Sequence, residues 1–136
     1  MNKEFVSYNT ALSLKELGFD EPCFGYYHVN EGYSIGYAFC YSDKKLQTEF
    51  GCSAPTYSQT IKWFRRKYIL FAEIHVGTFV KVGLEEYFWA IYGEYKNSWI
   101  MLLYDCNSQP YKTYEEAEIA CIDKLIEIVK NKIQNI

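Results

Sequence analysis

Apolar residues follow helical spacing in three segments of the chain and strand alternation between them. The first helical segment runs from about Tyr8 to Leu17. Ser7 precedes it as a residue type that caps helix N-termini, and Gly18 follows as one that easily takes the left-handed conformation at a helix end. The pattern therefore predicts a short first helix that stops before Gly18.

After Pro22 the pattern changes to the alternation typical of strands. Residues 23–29 and 33–41 flank the turn sequence NEG and predict a β-hairpin. On the second strand bulky residues alternate with small ones, so one face is large and the other permits close approach. We expect the large face to meet the core or a binding partner. Its tyrosines are Tyr33, Tyr37 and Tyr41.

A second helix is predicted after Pro55, because Thr56 and Gln59 match a capping box. Three strand-like segments follow, LFAEIHV, EYFWAIYGEY and SWIMLLYDC, and the last two resemble a hairpin. The residues of the second helix that we expect to face the core are Tyr57, Ile61, Phe64 and Tyr68.

The third helix has the strongest amphipathic pattern. Thr113 and Glu116 form another capping box, and the helical pattern continues to about Ile133. The element order is then α-β-β-α-β-β-β-α, which predicts an α+β fold with a mainly antiparallel sheet, in a single domain over residues 1–136. The apolar side spans more than half the helix circumference, so self-association into a homo-oligomer is one expectation. Its members are Ala117, Cys121, Ile122, Leu125, Ile128, Val129 and Ile133.

Composition limits the function classes. The net charge of -3 argues against coating nucleic acid through bulk charge, but it permits a local basic patch.

No secretory leader or membrane-length apolar run is visible, so we expect a soluble cytoplasmic protein with no membrane partner. The five cysteines are odd in number and widely spaced, which favours buried reduced thiols over a disulfide framework. Aromatic residues make up 19% of the chain, enough to leave some tyrosines for a binding surface.

Three stretches together carry a resemblance to a known group. They are FVSYNTALSLKELGFDEPCFGYY, SAPTYSQTIKWFRRKY and YKTYEEAEIACIDKLIEIVKNK, about 60 of the 136 residues. They resemble a group of small uncharacterised proteins of gut Bacteroidales and of the tailed, including crAss-like, bacteriophages that infect them. The resemblance implies a phage or prophage accessory protein in the cytoplasm of the bacterial host, and it implies no activity, cofactor or catalytic residue.

Catalytic and metal-binding motifs are missing from the sequence. Cys23 and His28 have opposite strand parity, which disfavours a local Cys/His pair, and Cys40 or Cys52 with His75 stays open without a supporting motif. No paired ligands of zinc-site spacing occur, and the two glycines of GYSIGYA lack the lysine of a phosphate-binding loop. We therefore expect no catalytic residue, no metal and no cofactor.

The segment KWFRRK is the local feature that points to binding. If Ile61 and Phe64 face the core, Trp63 turns outward among cations and can anchor a protein interface or stack on a nucleic-acid base. The structural alternative is that Trp63 is covered, with Arg66 stacked over its ring. Our leading prediction is a non-enzymatic protein that binds a host or phage protein, and the alternative is a nucleic-acid-binding module. The candidate surface is Lys62, Trp63, Arg65 and Arg66 with the three hairpin tyrosines.

Overall fold

The computed structural model describes residues 4–28, 35–37, 51–77, 85–95, 98–104 and 110–134. Within these ranges the chain forms three helices and two three-stranded antiparallel sheets, so the predicted α+β class is confirmed. In chain order the elements are α1 Tyr8–Glu16, β1 Gly25–His28, β2 Ile35–Tyr37, β3 Gly51–Ala54, α2 Tyr57–Tyr68, β4 Phe71–Val76, β5 Tyr87–Tyr95, β6 Ser98–Tyr104 and α3 Tyr114–Gln134.

One strand was missing from the predicted order, and the strands form two sheets where we predicted one. Strand β3 consists of small residues that are all buried, so it shows neither the alternation nor the bulky side chains that reveal a strand in sequence. It pairs with β1, with Tyr27 opposite Cys52. The chain forms two compact units, Met1–Thr60 and Ile61–Ile136, and the single domain over residues 1–136 stays a prediction.

In the first unit, local hydrogen bonds define both ends of α1 as predicted. The Ser7 Oγ accepts a hydrogen bond from the Thr10 N–H at 3.2 Å. At the other end Gly18 has a φ of 91°, and the Phe19 N–H donates to the Leu14 carbonyl at 2.9 Å. This is the Schellman arrangement, in which a left-handed residue lets the chain turn back onto the last helical carbonyls.

The sheet of the first unit has the order β2-β1-β3. Strands β1 and β2 are antiparallel with Tyr27 opposite Ile35, which confirms the predicted pairing, while the NEG turn lies outside the described residues. Tyr27 is buried, and its hydroxyl donates to the Val6 carbonyl at 2.8 Å. A Cβ at Gly25 would lie 2.9 Å from the Phe5 ring, so this position requires glycine to let the ring approach.

The N-terminus of α2 also lies in the first unit. The Thr56 Oγ1 accepts from the Gln59 N–H at 3.1 Å, which confirms half of the capping box. The Gln59 amide donates elsewhere, to the Pro22 carbonyl at 2.8 Å and to the Glu21 carboxylate at 3.4 Å. Gln59 therefore ties the helix start to the segment that leads into β1.

In the second unit the sheet has the order β4-β5-β6, and both strand pairs are antiparallel. Strand β5 is central, with Ile74 of β4 opposite its Trp89. The register with β6 shifts between Ile91 and Tyr92, which marks a β-bulge. The predicted hairpin of the last two strands is confirmed.

Helix α3 packs on β5 and β4. The Thr113 Oγ1 accepts from the Glu116 N–H at 3.1 Å, as predicted for the capping box, but the Glu116 carboxylate accepts from the Lys112 backbone N–H at 3.3 Å. Ile128 is only half-buried, and Glu118 is buried although the pattern gave no indication of it. Among the described residues, no helix is both long and apolar enough to cross a membrane. The buried apolar residues of α3 are Ala117, Cys121, Ile122, Leu125, Ile126 and Val129.

Candidate functional site

Trp63 lies in the interior, so of the two alternatives the outward-facing ring is wrong and the covered ring is confirmed. Its side chain is only 4% exposed. The ring makes edge-to-face contacts with Phe64 and Tyr68, whose centroids lie 5.0 Å and 5.4 Å away. Trp63 therefore presents no flat surface to a nucleic-acid base, and it leaves the candidate binding set.

The reason for the error is the position of Thr60. Thr60 is fully buried, and its hydroxyl donates to the Thr56 carbonyl at 2.8 Å, so the polar group is satisfied within the helix. The buried side of α2 is then centred on Thr60, Trp63 and Phe64. Of the residues predicted for that side only Phe64 is fully buried, and Tyr57, Ile61 and Tyr68 are intermediate.

The Lys67 ammonium lies over the Trp63 ring. The Lys67 Nζ lies 5.1 Å from the centre of the Trp63 ring and 5.6 Å from that of Tyr68. Ammonium groups at this distance are attracted to the negative face of an aromatic ring. Lys67 thus belongs to the packing of the helix C-terminus.

Three other cations form one exposed stripe on α2. Lys62, Arg65 and Arg66 are exposed and stand at i, i+3 and i+4, the spacing that places side chains on one face of a helix. We call these three residues the α2 basic face. Their mean direction points away from the buried side centred on Thr60, Trp63 and Phe64, so the structure brings together three of the predicted site residues.

The electrostatic character of this face follows from the surrounding sequence. Four of the chain's 14 lysines and arginines lie at positions 62–67. No Asp or Glu occurs from position 50 to position 72, so every formally charged side chain in this stretch is positive. The protein is acidic as a whole, with a net charge of -3, yet it carries a local cluster of positive charge on this helix.

Ile69, directly after α2, is a residue that sequence reasoning missed. Its φ is 55°, in the left-handed region, and its side chain is 49% exposed. This conformation turns the chain so that Leu70 is buried, and the Leu70 N–H approaches the Phe64 carbonyl at 3.4 Å. No signal in the sequence marks it, because a left-handed residue at a helix end is usually glycine or asparagine.

The hairpin tyrosines contribute no described side chain to the candidate site. Tyr33 and Tyr41 lie outside the described residues. Tyr37 belongs to β2, where its backbone is in register with Gly25. The role of these tyrosines in binding stays a prediction.

Among the described residues, Cys23, Cys52 and Cys121 are buried and form no disulfide, as predicted. Burial raises the pKa of Cys121 to about 12, with a smaller contribution from Glu118, and burial also raises the pKa of Cys52. A raised pKa disfavours the nucleophilic thiolate. Cys40 and Cys106 lie outside the described residues.

Glu118 is the buried carboxylate of α3, with 8% of its surface exposed. Burial raises its pKa, and the nearby charge of Glu115 raises it further. Also in the second unit, the His75 Nε2 lies 3.1 Å from the Glu73 carboxylate. Within the described ranges no three His, Cys, Asp or Glu side chains lie close enough together to hold a metal ion.

Comparison of the chain with protein-family models, with curated proteins and with solved structures finds no match.

Proposed function

We propose that this protein is a non-enzymatic binding protein that engages another protein through the α2 basic face. The observation that carries the proposal is the alignment of Lys62, Arg65 and Arg66 on one exposed side of a helix that contains no acid. Cations fixed on a rigid helix steer an acidic surface toward them and orient it. The two guanidinium groups can also bind carboxylates through paired hydrogen bonds, which adds geometric selectivity.

Burial of Trp63 favours a protein partner over nucleic acid. Proteins that bind single strands combine a basic groove with exposed aromatic rings on which bases stack. Trp63 was the ring proposed for that role, and it is covered. The α2 basic face alone offers contacts to phosphates but no stacking platform, so nucleic-acid binding is the second candidate.

The resemblance to phage accessory proteins suggests the biological setting of the proposal. It supports a partner that is a bacterial host protein or another phage protein, met in the bacterial cytoplasm. An acidic surface on that partner is what the α2 basic face would recognise.

The proposal is tested by capture from a nuclease-treated lysate of a Bacteroidales host, followed by affinity measurement with the purified partner. We expect Lys62→Gln/Arg65→Gln to lose the captured protein, because it removes two exposed charges of the α2 basic face. The matched control Lys112→Gln/Lys132→Gln removes two exposed charges at the ends of α3 and should retain it. Equal capture by both variants would contradict the proposal. So would capture that occurs in an untreated lysate and is lost in the nuclease-treated one.

A further inference from the structure

Ile69 adds an apolar group to the end of the α2 basic face. Ile69 directly follows Tyr68, the last residue of α2, and lies four positions after Arg65, with about half of its side chain exposed. The Arg65 guanidinium lies 6.0 Å from the centre of the Phe71 ring, which holds this cation beside the segment that follows Ile69. Positive charge and apolar surface are therefore adjacent at the helix C-terminus.

The backbone conformation of Ile69 is strained. A helix that ends in a left-handed residue usually has glycine or asparagine there, because a branched side chain is strained at positive φ. Here the position holds an isoleucine with a φ of 55°, half of whose side chain faces water. Glycine would allow the same turn into the buried Leu70 without strain. Strained residues of this kind are concentrated at binding sites.

We propose that the α2 basic face and Ile69 together bind an acidic peptide segment that carries one apolar side chain. The carboxylates of the segment would pair with Lys62 and Arg65, and its apolar side chain would pack on Ile69. This inference rests on the proposed function and adds the chemistry of the partner. A phosphodiester chain fits less well, because it has no aliphatic group to cover Ile69 and finds no ring on which to stack.

The test uses the full chain and three short fluorescein-labelled probes in anisotropy titrations at low and moderate salt. The probes are an Asp/Glu-rich peptide with a single leucine, the same peptide with serine in its place, and oligothymidine. We expect the leucine peptide to bind about fivefold more tightly than the serine peptide, as partial burial of one aliphatic side chain would give. Binding of both peptides should weaken as salt rises.

Variants separate the two contributions. Ile69→Asn should abolish the difference between the peptides while leaving the charge-dependent affinity, and asparagine tolerates the left-handed conformation. The control Val76→Thr alters another exposed apolar residue, 53% exposed in β4, and should leave the difference intact. Lys62→Gln/Arg65→Gln should weaken both peptides.

The outcomes distinguish failure of the inference from failure of the proposed function. Two outcomes overturn the inference: equal affinity of the two peptides, or a difference in affinity that survives Ile69→Asn. They overturn the inference alone if Lys62→Gln/Arg65→Gln still weakens the binding of both peptides. Peptide binding that this double variant leaves unchanged overturns the proposed function as well. Tighter binding of oligothymidine than of the leucine peptide overturns both in favour of nucleic acid. Absence of peptide binding beside a charge-dependent lysate capture overturns only the inference.

Discussion

The ammonium group of Lys67 lies 5.1 Å from the centre of the buried Trp63 ring. Trp63 therefore contributes to the packing of the protein interior. We expect Trp63→Ala to reduce the free energy of unfolding by about 3–5 kcal/mol, because removal of the ring leaves a cavity. Lys67→Ala should cost about 0.5–1 kcal/mol, the range for an exposed cation over a ring. Urea denaturation followed by circular dichroism measures both. A smaller loss for Trp63→Ala than for Lys67→Ala would contradict the interior position of the ring.

The left-handed backbone at Ile69 predicts a stabilising substitution. Ile69→Gly should raise the free energy of unfolding by about 1 kcal/mol, since a side chain in this conformation costs roughly 1–2 kcal/mol and glycine loses part of that gain to entropy. The matched control Ile119→Gly, at a half-exposed position inside α3, should instead destabilise by about 0.5 kcal/mol. The urea midpoints of the two variants should therefore move in opposite directions, and a fall for both would refute strain at Ile69.

The close approach at Gly25 predicts that even one methyl group is harmful. An added Cβ would lie 2.8 Å from the Ala54 carbonyl oxygen and 2.9 Å from the Phe5 ring. We expect Gly25→Ala to destabilise by about 1–3 kcal/mol, the usual cost of overpacking. The double variant Phe5→Leu/Gly25→Ala should recover only part of the loss in thermal unfolding, because the contact with the backbone oxygen remains. Full recovery would show that the ring alone excludes a side chain.

The buried carboxylate of Glu118 predicts a pH-dependent stability. Burial raises its pKa in the folded protein, so the protonated form is favoured there and stability from this group is lost as pH rises above the unfolded value. Glu118→Gln should thus be more stable than the wild type near neutral pH, and the advantage should vanish in acid. Urea midpoints measured across pH check this. The control Glu127→Gln removes an exposed carboxylate paired with Lys124 and should change stability by only about 0.3–0.5 kcal/mol. A Glu118→Gln advantage that does not change with pH would exclude the carboxylate as its cause.

Helix ends were the most predictable part of the fold. Ser7, Thr56 and Thr113 each accept a hydrogen bond from a backbone N–H three residues later, as their sequence patterns indicate. Gly18 likewise ends α1 by its own conformational freedom. These interactions involve neighbours in sequence, so no knowledge of the distant chain is needed to predict them.

The candidate site was only partly predictable. Exposure of Lys62, Arg65 and Arg66 followed from their charge and spacing. The sequence left the burial of Trp63 open, because it depends on Thr60 being acceptable in the interior once its hydroxyl bonds to the helix backbone. A hydrophobic pattern counts threonine as polar, so it centres the buried side of the helix on Ile61 and Phe64 and leaves Thr60 and Trp63 out of it.

By itself the sequence determined the three helices, most of the strands and the basic character of α2, because capping, periodicity and charge are local properties. Tertiary structure alone decided that the small residues of β3 pair with β1, that Trp63 faces inward and that Glu118 is buried. It also decided that Ile69, directly after the helix that carries the α2 basic face, is held in a left-handed conformation. Each of these outcomes depends on contacts between residues far apart in the chain or on the path that such contacts impose, which no local pattern encodes.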